Sequence, residues 1–157
     1  NTTPNEYNLL VKEHSHAIGN RPNSFYESLL EIPNVMLLHP SENARKAIKG
    51  SSLVISNTGT SSLEASMLSI PSVTATPMFY NKIMLQKQFN PFEMSVLELL
   101  KNKNKINKHT LITCLDEIYN GSFKGNCGDF QTDANVLKKE NIKDLEMSFK
   151  NIIKAII

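Results

Sequence analysis

No stretch of this 157-residue chain approaches the roughly 18–20 consecutive apolar residues that cross a bilayer, which excludes a spanning helix. Asn1-Thr-Thr-Pro-Asn5 is polar and leads into no apolar region, so it does not read as a secretory signal. There are two cysteines, Cys114 in a helical pattern and Cys127 in a glycine-rich loop. They give neither a disulfide framework nor a metal-ligand spacing, and a reducing cytoplasmic setting is expected. A formal net charge of +2 gives no electrostatic case for nucleic acid. No Ser–His–Asp or Cys–His set has supporting context, and no pair of carboxylates stands out for acid–base work. Internal repeats and low-complexity tracts are also lacking.

What is present is ordinary globular material, 40% hydrophobic and 20% charged, long enough to bury a core. The chain opens on Asn1 and almost at once on a strand-like run, so it is expected to be a piece of a longer protein. Tyr7–Lys12 is a nearly continuous apolar run, as in a parallel strand covered on both faces. After the polar cluster Glu13–His16 and a Gly/Asn/Pro loop, Asn23 or Ser24 caps a short helix with Phe25, Tyr26, Leu29 and Leu30 on its apolar side. Val35–Leu38 predicts a second strand, and Ser41 caps a helix through Lys49 that Gly50 ends. Leu53–Ser56 predicts a third strand, residues 61–68 a helix, and Pro71–Thr76 a fourth strand rich in β-branched residues. This alternation predicts an α/β fold, a Rossmann-like doubly wound parallel sheet with ligands at the C-terminal edge of its strands.

Beyond Pro77 the pattern turns helical. An aromatic turn, Phe79-Tyr80-Asn81, precedes expected helices at Lys82–Gln88 and Phe92–Leu100, and Lys101–Lys105 reads as a basic, solvated loop. Asn107–Tyr119 is amphipathic, Gly121–Asp133 is loop, and Ile142, Leu145, Phe149, Ile152, Ile153 and Ile156 keep helical spacing to the end. The expected organisation is a Rossmann-like domain over residues 1–125 and a C-terminal loop and helix over 126–157 that packs on it or on a further, N-terminal domain.

The stretch Ser52–Leu68 organises the rest: a short apolar strand, a turn of small polar residues, then a helix. Backbone N–H groups, hydroxyls and the helix dipole converge there on one place, which suits a phosphate. Thr58, Gly59, Thr60, Ser61 and Ser62 are the candidate phosphate ligands. No lysine follows the glycine at P-loop spacing. Ser61-x-x-Glu64 fits two roles, a capping box or a ribose contact from Glu64. His14 and Lys12, at the end of the first strand, either cap that strand or add donors to the same ligand edge. Arg21 is a further candidate anion ligand or a surface residue, and His39 contacts a base or sugar or serves as a loop histidine. His14-x-His16 has no acidic or cysteine partner, so no metal is expected.

Read together, Val11-Lys-Glu-His14, Gly19-Asn-Arg-Pro22 with Phe25-Tyr26, Ile32-Pro-Asn-Val35, Asn57-Thr-Gly-Thr60 with Glu64-Ala65, and Phe79-Tyr80 make a recognisable series. It resembles the C-terminal half of bacterial capsule and surface-polysaccharide biosynthesis proteins, themselves similar to Kdo transferases and other glycosyltransferases of the GT-B fold. The likeness covers about residues 7–125. Ser15 stands where relatives carry a proline after the histidine, Ser62 where they carry a glycine, and Ile70-Pro-Ser72 replaces a Gly-Lys-Pro-like step. The resemblance implies the donor-binding domain of a transferase that uses a nucleotide sugar, such as a CMP-sugar, as substrate and needs no cofactor or metal. Thr60, Ser61 and Ser62 would face the phosphate with His14 assisting, and Glu64 the ribose. The general base and the glycan or lipid-linked acceptor would belong to an N-terminal domain, leaving this piece inactive alone. The setting implied is cytoplasmic, peripheral to the inner face of the membrane. A non-catalytic binding module and half of a sugar-nucleotide epimerase or polyol-phosphate transferase are the competing expectations.

Overall fold

The computed structural model describes residues 6–83, 90, 93–101, 107–128 and 133–156. The chain divides into two compact units, Asn1–Cys114 and Leu115–Ile157, with the boundary inside a helix.

In the first unit, β1 (Leu9–Lys12) pairs in parallel with β2 (Val35–Leu38), connected through α1 (Asn23–Leu30). Leu9 lies opposite Val35 and Lys12 opposite Leu38. Helix α1 starts directly after Pro22, whose fixed φ suits a helix entry, and Asn34 turns the chain into β2 at a φ of 66°. Helix α2 (Ala44–Lys49) is capped by Asn43, whose side chain accepts from the Arg45 amide at 2.9 Å, and not by Ser41. β3 (Val54–Ser56) leads into α3 (Ser61–Met67) and back to β4 (Ser72–Thr74), with β3 and β4 parallel and Ile55 opposite Val73. α4 (Val96–Lys101) follows, and α5 (Lys108–Asn120) crosses the boundary between units.

The doubly wound Rossmann-like sheet does not form. Among the described residues strand pairing ends in two separate two-stranded parallel sheets, β1–β2 and β3–β4, and helix far outweighs strand. The physical reason is visible in burial. A parallel sheet of that kind must be covered on both faces, yet Leu9 and Leu10 in β1 are each 41% exposed and Met36 in β2 is 51% exposed. With only three or four residues per strand, each ladder contributes few hydrogen bonds and little apolar area toward joining the sheets.

The core of the first unit instead gathers on β4. Ser72, Val73 and Thr74 are all buried, Val73 packs with Leu99 of α4, and Leu53, Met94 and Val96 close round that pair. Tyr80, Ile83 and Ala65 are also buried. Of the expected helix at Lys82–Gln88, Lys82 and Ile83 lie in a 3-10 turn, Asn81–Ile83, and the rest lies outside the described residues, as do Phe92 and most of the basic loop, 102–105.

The second unit is built on α6 (Lys139–Ile156). The loop before it is stitched to the helix: Ser148 Oγ donates to the Lys124 carbonyl at 2.7 Å, and the Asn141 amide donates to the carbonyls of Asn126 and Val136 at 2.9 and 2.8 Å. Asp129–Thr132 lie outside the described residues. Gly125 holds a φ of +116°, and a Cβ there would sit 2.5 Å from Leu145 Cδ2 and 3.2 Å from the Leu145 backbone nitrogen. Gly125→Ala therefore meets both an unfavourable backbone conformation and a clash with α6. It is expected to destabilise the second unit by about 1–3 kcal/mol, measured as a fall in its thermal midpoint, while Gly121→Ala, at a residue without positive φ, costs less.

Candidate functional site

The turn between β3 and α3 is braced from behind. Tyr80 is fully buried, and its hydroxyl donates to the Gly59 carbonyl at 2.6 Å. Ser56 Oγ donates to the same carbonyl at 3.2 Å, and Thr76 Oγ1 donates to the Asn57 carbonyl at 2.8 Å. In a trans peptide the N–H points opposite the preceding carbonyl. Anchoring the Asn57 and Gly59 carbonyls inward therefore turns the Thr58 and Thr60 N–H groups away from the brace. Neither amide has a hydrogen-bond partner among the described residues, and Thr58, Gly59 and Thr60 are all exposed. Burial holds the Tyr80 phenol above the usual tyrosine range.

Helix α3 is fixed by buried hydroxyls. Ser62 Oγ donates to the Val73 carbonyl at 2.9 Å and meets Ser56 Oγ at 2.7 Å. Ser72 Oγ donates to the Ser62 carbonyl at 2.9 Å, while Ser66 Oγ reaches that carbonyl at 3.0 Å and Ser72 Oγ at 2.7 Å. Ser62 is thus no phosphate ligand. It has no solvent exposure and spends its hydroxyl on β3 and β4. Its side chain points into the fold and leaves the corner open.

The remaining sequence candidates separate into two groups. Ser61 is half-buried at the start of α3, and Glu64 lies one turn in. The capping box does not form: Thr60 is the N-cap, makes no side-chain cap bond, and its hydroxyl gives Glu64 Oε1 only a 3.4 Å contact. Glu64 keeps most of its acceptor capacity. The second group lies at the end of β1. Lys12 Nζ donates to the Pro40 carbonyl at 2.6 Å and the Glu13 carbonyl at 3.3 Å, tying β1 to the segment after β2. His14 caps a 3-10 turn, Ser15–Ala17, by accepting the His16 amide on Nδ1 at 3.2 Å. His39 Nδ1 contacts Ser41 Oγ at 2.6 Å. No hydrogen bond, ion pair or ring contact among the described residues joins this group to the Gly59 turn.

Two residues of consequence escaped the sequence reading. Glu13 takes the Tyr26 hydroxyl on Oε2 at 2.5 Å and Arg21 Nε on Oε1 at 2.8 Å. Tyr80 supports the turn from 21 positions away. The nearly continuous apolar run of the first strand offered no sign of Glu13's partners, although its lone acidic charge among Lys12, His14, His16 and Arg21 was a usable signal. In the second unit, a shallow pocket of about 110 Å³ lies between Phe123, Gly125, Cys127, Leu145 and Phe149. Neither cysteine forms a disulfide; Cys114 is buried and Cys127 exposed. No helix among the described residues is long and apolar enough to cross a membrane, and no cluster of three potential metal ligands occurs among them.

Compared with known proteins, the chain matches no family model, no curated protein and no solved structure.

The Tyr26 hydrogen bond first, and Arg21 second, hold the Glu13 carboxyl below its ordinary value of 4.5, and the same bond holds the Tyr26 phenol above 10.0. A depressed carboxyl stabilises the fold in full above the ordinary carboxylate range and loses that contribution as pH falls through its lowered value. Glu13→Gln should therefore be less stable than the native chain at pH 7, with the difference narrowing under acid; thermal midpoints recorded from pH 7 to pH ~3 check it. Spectrophotometric titration should also show Tyr26 ionising earlier in the variant.

Proposed function

We propose that the first unit holds the nucleotide of a nucleotide-sugar donor at the β3–α3 turn, as the donor-binding part of a bacterial capsule or surface-polysaccharide glycosyltransferase. The observation that carries this reading is the orientation of the Thr58 and Thr60 amides, turned outward by the inward anchoring of the Asn57 and Gly59 carbonyls. The order of motifs that resembles surface-polysaccharide transferases supports it. The reading rests on this corner and on that order, not on a doubly wound sheet.

In this reading the Thr58 and Thr60 amides, with the Thr60 and Ser61 hydroxyls, receive a phosphate. Phosphate oxygens gain negative charge as a nucleotide departs, so fixed N–H and O–H donors stabilise that state without reorganising. Glu64, free of a capping role, accepts from the ribose hydroxyls. His14 keeps Nε2 available, since Nδ1 is used on the His16 amide. Ser62 and Tyr80 act through the turn they hold. The acceptor and the base that activates it belong to a further domain, and the setting is the cytoplasmic face of the membrane.

Gly59 gives the cleanest test. A Cβ added there meets nothing within 4 Å, so Gly59→Ala should leave the thermal midpoint nearly unchanged while placing a methyl group where the ligand approaches. Titrating the chain with CMP, CDP, UDP and GDP should shift the amide signals of Gly59–Glu64 for at least one nucleotide, and Gly59→Ala should weaken that binding about tenfold, near 1.4 kcal/mol. Signals that stay still with all four nucleotides contradict the proposal.

A further inference from the structure

The segment between β1 and α1 contains an arginine held unusually firmly for a surface residue. Its backbone is ordered locally: the Ala17 amide donates to the His14 carbonyl at 2.9 Å, the Asn20 amide to the Ala17 carbonyl at 3.0 Å, and Gly19 makes the turn at a φ of +84°. On that frame Arg21 is gripped at two points. Nε donates to Glu13 Oε1 at 2.8 Å, and the guanidinium carbon lies 4.8 Å from the centre of the Phe25 ring. Phe25 in turn packs edge-to-face on Tyr26, with ring centres 5.4 Å apart.

The arrangement leaves the donor end of the guanidinium unused. An arginine paired with a carboxylate commonly offers two N–H groups to its two oxygens. Here the second oxygen, Oε2, is taken by the Tyr26 hydroxyl, so Glu13 grips the arginine through Nε alone. Neither Nη1 nor Nη2 has a partner among the described residues, and the Arg21 side chain is 51% exposed. Glu13 is also the one acidic residue between Tyr7 and Tyr26, against Lys12 and Arg21 and two histidines. The lowered Glu13 carboxyl and raised Tyr26 phenol agree with a carboxylate that stays charged and doubly engaged.

We infer that Arg21 is an anion-binding residue, positioned by Glu13, Tyr26 and Phe25 so that its two Nη groups receive one phosphate or carboxylate through paired hydrogen bonds. Ordering the side chain before the ligand arrives removes a cost that a free surface arginine bears on binding. Glu13 and Tyr26 are positioning residues; the Nη groups make the contact. This site goes beyond the Gly59 turn and stands whether or not a nucleotide binds there.

The 157-residue chain, labelled with nitrogen-15, is titrated with inorganic pyrophosphate and, separately, with malonate. The Arg21 Nε–Hε signal and the Gly59–Glu64 amides are followed together. The Arg21 signal should move saturably with at least one probe, and the probe that moves it distinguishes phosphate from carboxylate. Arg21→Lys retains charge but lacks the fork, and Tyr26→Phe frees Oε2 to engage a second guanidinium N–H. Each should weaken binding about tenfold, followed in Arg21→Lys through the amides of residues 13–21. An Arg21 signal that neither probe moves overturns the inference, as does equal affinity in the native chain, Arg21→Lys and Tyr26→Phe. Movement confined to Gly59–Glu64 overturns it too, while leaving the nucleotide reading intact; movement confined to Arg21 does the reverse.

Discussion

The Ser62 hydroxyl, buried between β3 and β4 and donating to the Val73 carbonyl, is the contact on which the first unit depends. Helix α3 meets its two strands with a surface of serine and alanine. Ser62, Ser66 and Ser72 are fully buried yet all engaged, which is the condition under which buried polar groups stabilise a fold instead of weakening it. Small side chains allow the helix to sit close to the strands, and their hydroxyls fix its rotation. Larger apolar residues would hold it further away and leave its orientation to general packing.

That fixed helix sets the turn before it. Since Ser56 reaches both Ser62 and Gly59, and Tyr80 and Thr76 anchor the Gly59 and Asn57 carbonyls, the turn has its inner hydrogen bonds satisfied and its outer amides exposed. The same logic appears at the end of β1 with different chemistry. There Tyr26 occupies one oxygen of Glu13, and the arginine held by the other presents its remaining donors outward. At both places an inner residue uses up an acceptor and so decides which donors face the solvent.

Local structure was legible in the sequence to a useful degree. Val35–Leu38 and the helix starting at Ser61 lie where apolar runs and small polar residues indicate them, because those signals concern near neighbours. Asn43 displaced Ser41 as a cap by standing next to the first helical turn. The sheet was not legible. An apolar run such as Tyr7–Lys12 announces a strand but not what covers it, and with Leu9, Leu10 and Met36 substantially exposed the wide, doubly covered sheet does not assemble. At the candidate site, the exposed turn could be read directly. The inward orientation of Ser62 and the supports from Glu13 and Tyr80 depend on contacts across 11 to 21 positions of sequence, which spacing alone does not reveal.

The central claim, a turn braced inward so that its outer amides take a nucleotide phosphate, is tested most directly by intermolecular nuclear Overhauser effects between the chain and the tightest-binding of the four nucleotides. Cross-peaks are expected from ribose protons to the Glu64 side chain, together with downfield shifts of the Thr58 and Thr60 amides as they bond to phosphate. A bound nucleotide whose protons approach other residues, with those two amides unshifted, would contradict it.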